Sequence, residues 1–171
     1  YTDSTEGALL LENSSTNLIT QSEDFNWIKT NCTVDSNATL SPDGETNGSR
    51  LNFLASGLLR IQTTSGNPNG RTFTNSVYLK SDTSNSVIIG ILGSGGGLGY
   101  ITKTVSLTNE WQRFDISQTF SGSGDNVRFR ILSVEEGSIF AYGSQSEENS
   151  VASSYIPTNG STVQRAAETC N

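Results

Sequence analysis

Histidine does not occur in the 171 residues, and methionine is missing as well. Without an imidazole, a serine or cysteine nucleophile lacks its usual base, which excludes the common hydrolase triads. The same lack, with only two cysteines and no CxxC spacing, removes the ordinary zinc sites. No stretch approaches the roughly 18 uncharged apolar residues of a membrane helix. Nothing from Tyr1 onward reads as a signal segment, so the expectation is a soluble fragment cut from a longer precursor, with no membrane partner. The ten Lys and Arg form no run and face 17 acids, for a net charge of −7, which speaks against nucleic acid. Cys32 and Cys170 sit near opposite ends of the chain. The first and last strands of a sandwich often lie close, so the two thiols either bridge or stay unpaired.

Ser, Thr, Asn and 17 Gly fill the space left by low hydrophobic content (33%) and low charge (16%). That mixture favours turns and strands over helices, and the length suits one domain. Turn signals recur at "SPDG", "SGNPNG", "GSGGGLG" and "SGSGDN". The runs between them predict strands near 17–20, 27–34, 50–54, 58–63, 73–80, 87–92, 99–107, 111–120, 126–132 and 139–146. Several alternate strictly. "SVYLKS" sets Val77 and Leu79 against Tyr78 and Lys80; "NVRFRI" sets Val127, Phe129 and Ile131 against Arg128 and Arg130; Phe114 and Ile116 alternate with Arg113 and Asp115. Side chains alternate across a strand, so these predict an all-β, two-layer antiparallel protein with the seven apolar residues in a shared core. "VIIGIL" is apolar on both faces and belongs in the middle of a sheet.

Few motifs carry chemistry. The neighbouring acids Glu23 with Asp24, and Glu147 with Glu148, read as solvated loops rather than as a glycosidase pair. "GSGGGLG" precedes a strand and lacks a GK[ST] ending, so it is a hairpin and not a phosphate loop. Five N-x-[ST] triplets are what chance gives so Asn-rich a chain, and Trp27 and Trp111 read as core plugs at strand starts. The outward set is more suggestive: Tyr78, Lys80, Tyr100, Arg128 and Arg130, with Arg60. Aromatic faces mixed with cations suit an acidic or polyhydroxylated sugar, and if "SVYLKS" and "NVRFRI" share a sheet the set forms one patch. The alternative is a set of scattered solvated side chains.

"LLLENSSTNLITQSEDFNW", "SPDG", "SVYLKS", "LTNEWQRF" and "IFAYGSQSEENSVASSYIPTNGSTVQRAAETC" together resemble a recurring module of bacteriophage tail and virion surface proteins, from about Leu9 to Cys170. The resemblance implies an antiparallel two-sheet jelly-roll β-sandwich similar to carbohydrate-binding modules, over 9–157, with connectors at 1–8 and 158–171. It implies a place on the virion surface, outside the cell, and a host-surface polysaccharide or glycan as partner. No cofactor is required. Some jelly rolls hold a structural calcium near the N-terminal loop and last strand, and Glu23, Asp24 and Glu147 match those donors; the Asp common in that strand has no counterpart in "IFAYGSQSE". The expected function is therefore non-catalytic glycan adhesion. A structural spacer, packed as a homo-oligomer in a virion appendage, and a polysaccharide lyase using Tyr78 or Tyr100 beside Arg128 and Arg130 are the alternatives.

Overall fold

A computed structural model describes residues 12–64, 66–83, 86–95 and 99–168. Ten strands follow one another: β1 (Ser15–Asn17), β2 (Ile28–Thr39), β3 (Gly48–Gln62), β4 (Thr72–Lys80), β5 (Ser86–Ser94), β6 (Tyr100–Ser106), β7 (Gln112–Thr119), β8 (Asn126–Ser133), β9 (Gly137–Glu147) and β10 (Val163–Arg165). No helix occurs among the described residues. All pairings are antiparallel, in the order β6-β5-β8-β3-β9-β4-β7, with β2 along the other edge of β3.

The two expected sheets are layers joined through one long strand. Residues 50–54 and 58–63, predicted as separate strands, are the two halves of β3. Its first half pairs with β9 at Ser49–Phe53 and its second with β8 at Gly57–Gln62. Between the halves Ser56 takes φ 58°, and across from it Asn31 takes φ 47° at a register shift in β2. Both strands of the hairpin bend together, which lets one strand serve both layers. Gly57 is needed there: a Cβ would stand 2.5 Å from Phe53 Cδ1 and 2.8 Å from the Asn31 carbonyl. At the far edges β5 and β6 approach β7, and Lys103 Nζ donates to the Asp115 carbonyl.

The predicted core is observed. Val77, Leu79, Ile116, Val127, Phe129 and Ile131 are buried between the layers, and Phe114 packs half-buried against them. In "VIIGIL", Val87, Ile89 and Ile91 face this core while Ile88 and Leu92 are half-covered on the outer face. Trp27 is the expected plug, with Phe25 at 5.2 Å and Phe129 at 5.7 Å between ring centroids.

A third layer was not legible in the alternation. The whole run Ala141–Glu147 is buried, polar residues included, because the segments around β1 and before β10 lie across β9. Asn17 organises the contact: its Nδ2 donates to the carbonyls of Ser144 and Ile156, and its Oδ1 accepts from the amides of Ile19 and Ser146. Gln145 Oε1 accepts from Ile156 N, and Thr158 Oγ1 donates to the Ile19 carbonyl. Residues 158–168, expected as a connector, therefore differ from that expectation. They are tied to the fold, with β10 paired to β1 and the Glu168 amide donating to the Glu12 carbonyl. The physical reason is that backbone pairing to β1, the Thr158 hydroxyl and the Arg165–Glu12 ion pair, rather than apolar periodicity, hold the segment. The N-terminal connector, 1–8, lies outside the described residues, as does Cys170 of the Cys32–Cys170 pairing.

Candidate functional site

The six outward residues do not form one patch. β4 and β8 are separated in the sheet by β3 and β9, roughly 14 Å of strand spacing, and their shared core puts their outer faces on different layers.

On the β4 side, Tyr78 and Lys80 are held by packing. Register sets Tyr78 beside Tyr142 and Lys80 beside Phe140. The Tyr78 ring lies 6.0 Å from Tyr142 and 6.2 Å from Tyr155, with the Arg113 guanidinium 5.5 Å from its centroid. Lys80 Nζ sits 5.0 Å from the Trp111 ring and 5.3 Å from Phe140. Trp111 thus differs from the expected core plug: its Nε1 donates to the Leu40 carbonyl, and its ring covers this outer face.

On the β8 side, Arg60, Arg128, Arg130 and Tyr100 stay together. Pairing places Arg60 opposite Arg130, and Arg130 opposite Gly90 of β5. Gly90 leaves room for Tyr100, whose Cε2 would lie 3.0 Å from an added Cβ, and the ring passes under Arg130 at 5.3 Å. Gln62, Arg128, Leu92 and Tyr100 form the adjoining row. The only ion pairs among the described residues are Arg71 with Glu148 and Arg165 with Glu12. Three arginines therefore share a face with no carboxylate partner. Arg128 Nε donates to Asn126 Oδ1, while Nε of Arg60 and of Arg130 is buried without an acceptor. Like charges directly opposite on a sheet repel, so this face is built at a cost that an anion would relieve.

The three oxygen donors matched to a calcium are divided as well. Glu147 is fully buried, accepting from Ser15 Oγ at 2.5 Å, from the Ser153 amide at 3.0 Å and from the Ser153 hydroxyl. Asp24 is exposed and accepts from the Asn26 amide. Glu23 accepts from Tyr155 at 3.2 Å and Asn47 Nδ2 at 3.1 Å. No group of three or more His, Cys, Asp or Glu suited to a metal occurs among the described residues, so these three do not fit one ion.

Sequence reasoning missed the partners of Glu23. Asp43, from the "SPDG" turn, accepts from Tyr142 at 2.7 Å, from Asn47 Nδ2 at 3.1 Å and from the Ser41 hydroxyl. The Ser41 bond, aided by the Glu45 amide, Tyr142 and Asn47, holds the Asp43 carboxyl well below the usual carboxylate range. Burial, with the nearby carboxylates, pushes the phenols of Tyr142 and Tyr155 up. The signal for this network was the turn Asp followed four residues later by Asn, which sequence alone reads as a turn.

No family model matches the chain, and no curated protein matches it in sequence. Its fold is that of the jelly-roll carbohydrate-binding modules. It is similar to the CBM22-1 xylan-binding domain of a Paenibacillus barcinonensis protein (TM-score 0.57, 10% identity, 86% of this chain and 100% of that one). It is also similar to the CBM22-1 and GH10 modules of Clostridium thermocellum endo-1,4-β-D-xylanase 10B (TM-score 0.56, 10% identity, 85% of this chain). A third likeness is to the enzymatically active domain of bacteriophage CBA120 tailspike protein 4 (TM-score 0.54, 10% identity, 78% of this chain). The chain spans 30% of that xylanase structure and 19% of the tailspike. At these identities the likeness shows the fold alone.

Proposed function

We propose that this chain is a non-catalytic carbohydrate-binding module whose outer β6-β5-β8-β3 face takes an acidic glycan. One observation carries the reading: Arg60, Arg128 and Arg130 converge beside Tyr100 without a carboxylate partner, on a chain of net charge −7. Guanidinium groups give paired, charge-assisted hydrogen bonds to a uronate or sulfate, and the phenol ring covers the apolar face of a sugar. The finer part of the proposal is display on a virion appendage that meets a host-surface glycan. The fold likeness to part of a tailspike and the carbohydrate-binding likenesses support it, and repeated display would supply avidity to a weak site.

Titration of the folded protein with trigalacturonate tests this. Arg128→Ala and Tyr100→Ala are expected to weaken binding about tenfold each, with added salt weakening the wild type further. Tyr78→Phe, on the other outer face, is expected to bind as wild type. Folded arginine and tyrosine variants that all bind like wild type would overturn the reading and leave the spacer role.

A further inference from the structure

One recess among the described residues shares no residue with the arginine face. It is a cleft of about 650 Å³ between the β1–β2 loop, β2 and the 157–159 segment, a size in the range of small-ligand sites. Its polar wall is made of side-chain amides: Gln21, Asn26, Asn37, Asn47 and Asn159. Glu23 and Asp24 are its charged groups, and no cation or aromatic ring lines it.

Two features make it more than an acidic loop cluster. Glu23 is fixed from behind. Tyr155 donates to its Oε1 at 3.2 Å and Asn47 Nδ2 to its Oε2 at 3.1 Å, while Tyr142, whose single phenolic proton goes to Asp43 at 2.7 Å, stands 3.3 Å from Oε1. Asn47 is fixed by the same network: its Nδ2 serves both Glu23 and Asp43, while its Oδ1 is buried with no donor among the described residues. The wall thus holds acceptors already positioned, next to amides that both donate and accept, and the ordering needed for recognition is present before any ligand arrives.

We propose that this cleft is a second sugar site, taking a neutral unit with adjacent hydroxyls. A vicinal diol offers two donors and two acceptors at neighbouring carbons, which suits alternating amides and a fixed carboxylate. A uronate would meet Glu23 and Asp24, and the adjoining cation, Lys29, is not among the lining residues and already donates to Asn26 Oδ1, so the cleft and the arginine face select opposite classes of sugar. Without an aromatic platform, the cleft captures a short end or branch rather than a stacked polymer face. The inference is independent of the arginine-face reading, since the two sites share no residue.

The test is to record amide chemical shifts of the labelled protein during titration with xylohexaose, cellotriose, mannotriose and trigalacturonate. At least one neutral sugar is expected to shift the amides of Glu23, Asn26, Ser36 and Asn159 saturably. Asn26→Ala and Asn159→Ala, both exposed side chains, are expected to weaken that binding about three- to tenfold each, the loss of one or so hydrogen bonds. Trigalacturonate is expected to leave these amides unmoved, and its binding at the arginine face is unchanged in both variants. If no neutral sugar shifts the cleft amides up to its solubility limit, or if trigalacturonate binds there, the inference falls. The arginine-face reading is then still decided by its own titration.

Discussion

At the scale of the residue, strand parity separates the core from the face proposed to bind sugar. Phe129 and Arg128 are neighbours in β8, one fully buried and one half-exposed. Phe129→Ala is expected to cost about 3 to 5 kcal/mol, the loss from emptying a large core site, measured by urea unfolding. Arg128→Ala is expected to stay within about 0.5 kcal/mol. A third residue, Asp43, links the fold to pH. Its carboxyl is depressed in the folded state, so it contributes stability that is complete above about pH 4 and lost as pH falls below it. Tyr142 and Tyr155 are raised, so their contribution is complete below about pH 10 and lost as pH rises beyond it. Thermal unfolding across pH is expected to show both limbs, with the acid limb shallower in Asp43→Asn. An unchanged acid limb in that variant would remove Asp43 from the account.

At the scale of the element, the β2–β3 hairpin is the part least tolerant of added volume. Gly57→Ala places a Cβ against the backbone carbonyl of Asn31, which cannot swing away as a side chain does. It is expected to destabilise by about 1 to 3 kcal/mol, measured by denaturant midpoint, and a neutral result would mean the bend relaxes freely. The same element shows what sequence could convey. β-prone runs between turn signals marked both halves of β3, in which Leu51, Phe53 and Leu59 are buried. The bend between them falls in the small residues Ala55, Ser56 and Gly57, which read as an interruption, so nothing in the pattern joined the halves into one strand. β10 escaped notice for a related reason: it is three residues long and docks by backbone pairing to β1 and by the Arg165–Glu12 ion pair, neither of which leaves an apolar pattern. The candidate site was legible in composition but not in arrangement. The outward parity of Tyr78 and of Arg128 was readable locally; that they occupy different layers depends on strand order, which no local pattern encodes.

At the scale of the whole molecule, the two proposed sugar sites are surfaces of opposite charge on one chain. The arginine face gathers three of the chain's ten cations, while the charged groups lining the cleft are the carboxylates of Glu23 and Asp24. The third layer closes polar groups of β9 that would otherwise meet water, so the ends of the described chain are part of the fold's cohesion rather than an appendage to it. The shared strand has one further consequence, which concerns time. β2 and β3 meet through a short turn, but the edge of β3 that unites the layers is completed only by β8 and β9, from more than 60 residues later in the chain. Neither layer can seat its middle before those distant segments return to the same bent ribbon. Long-range pairing of this kind places folding in the slow class of small proteins, on the order of milliseconds to seconds, with the hairpin as the template on which both halves wait.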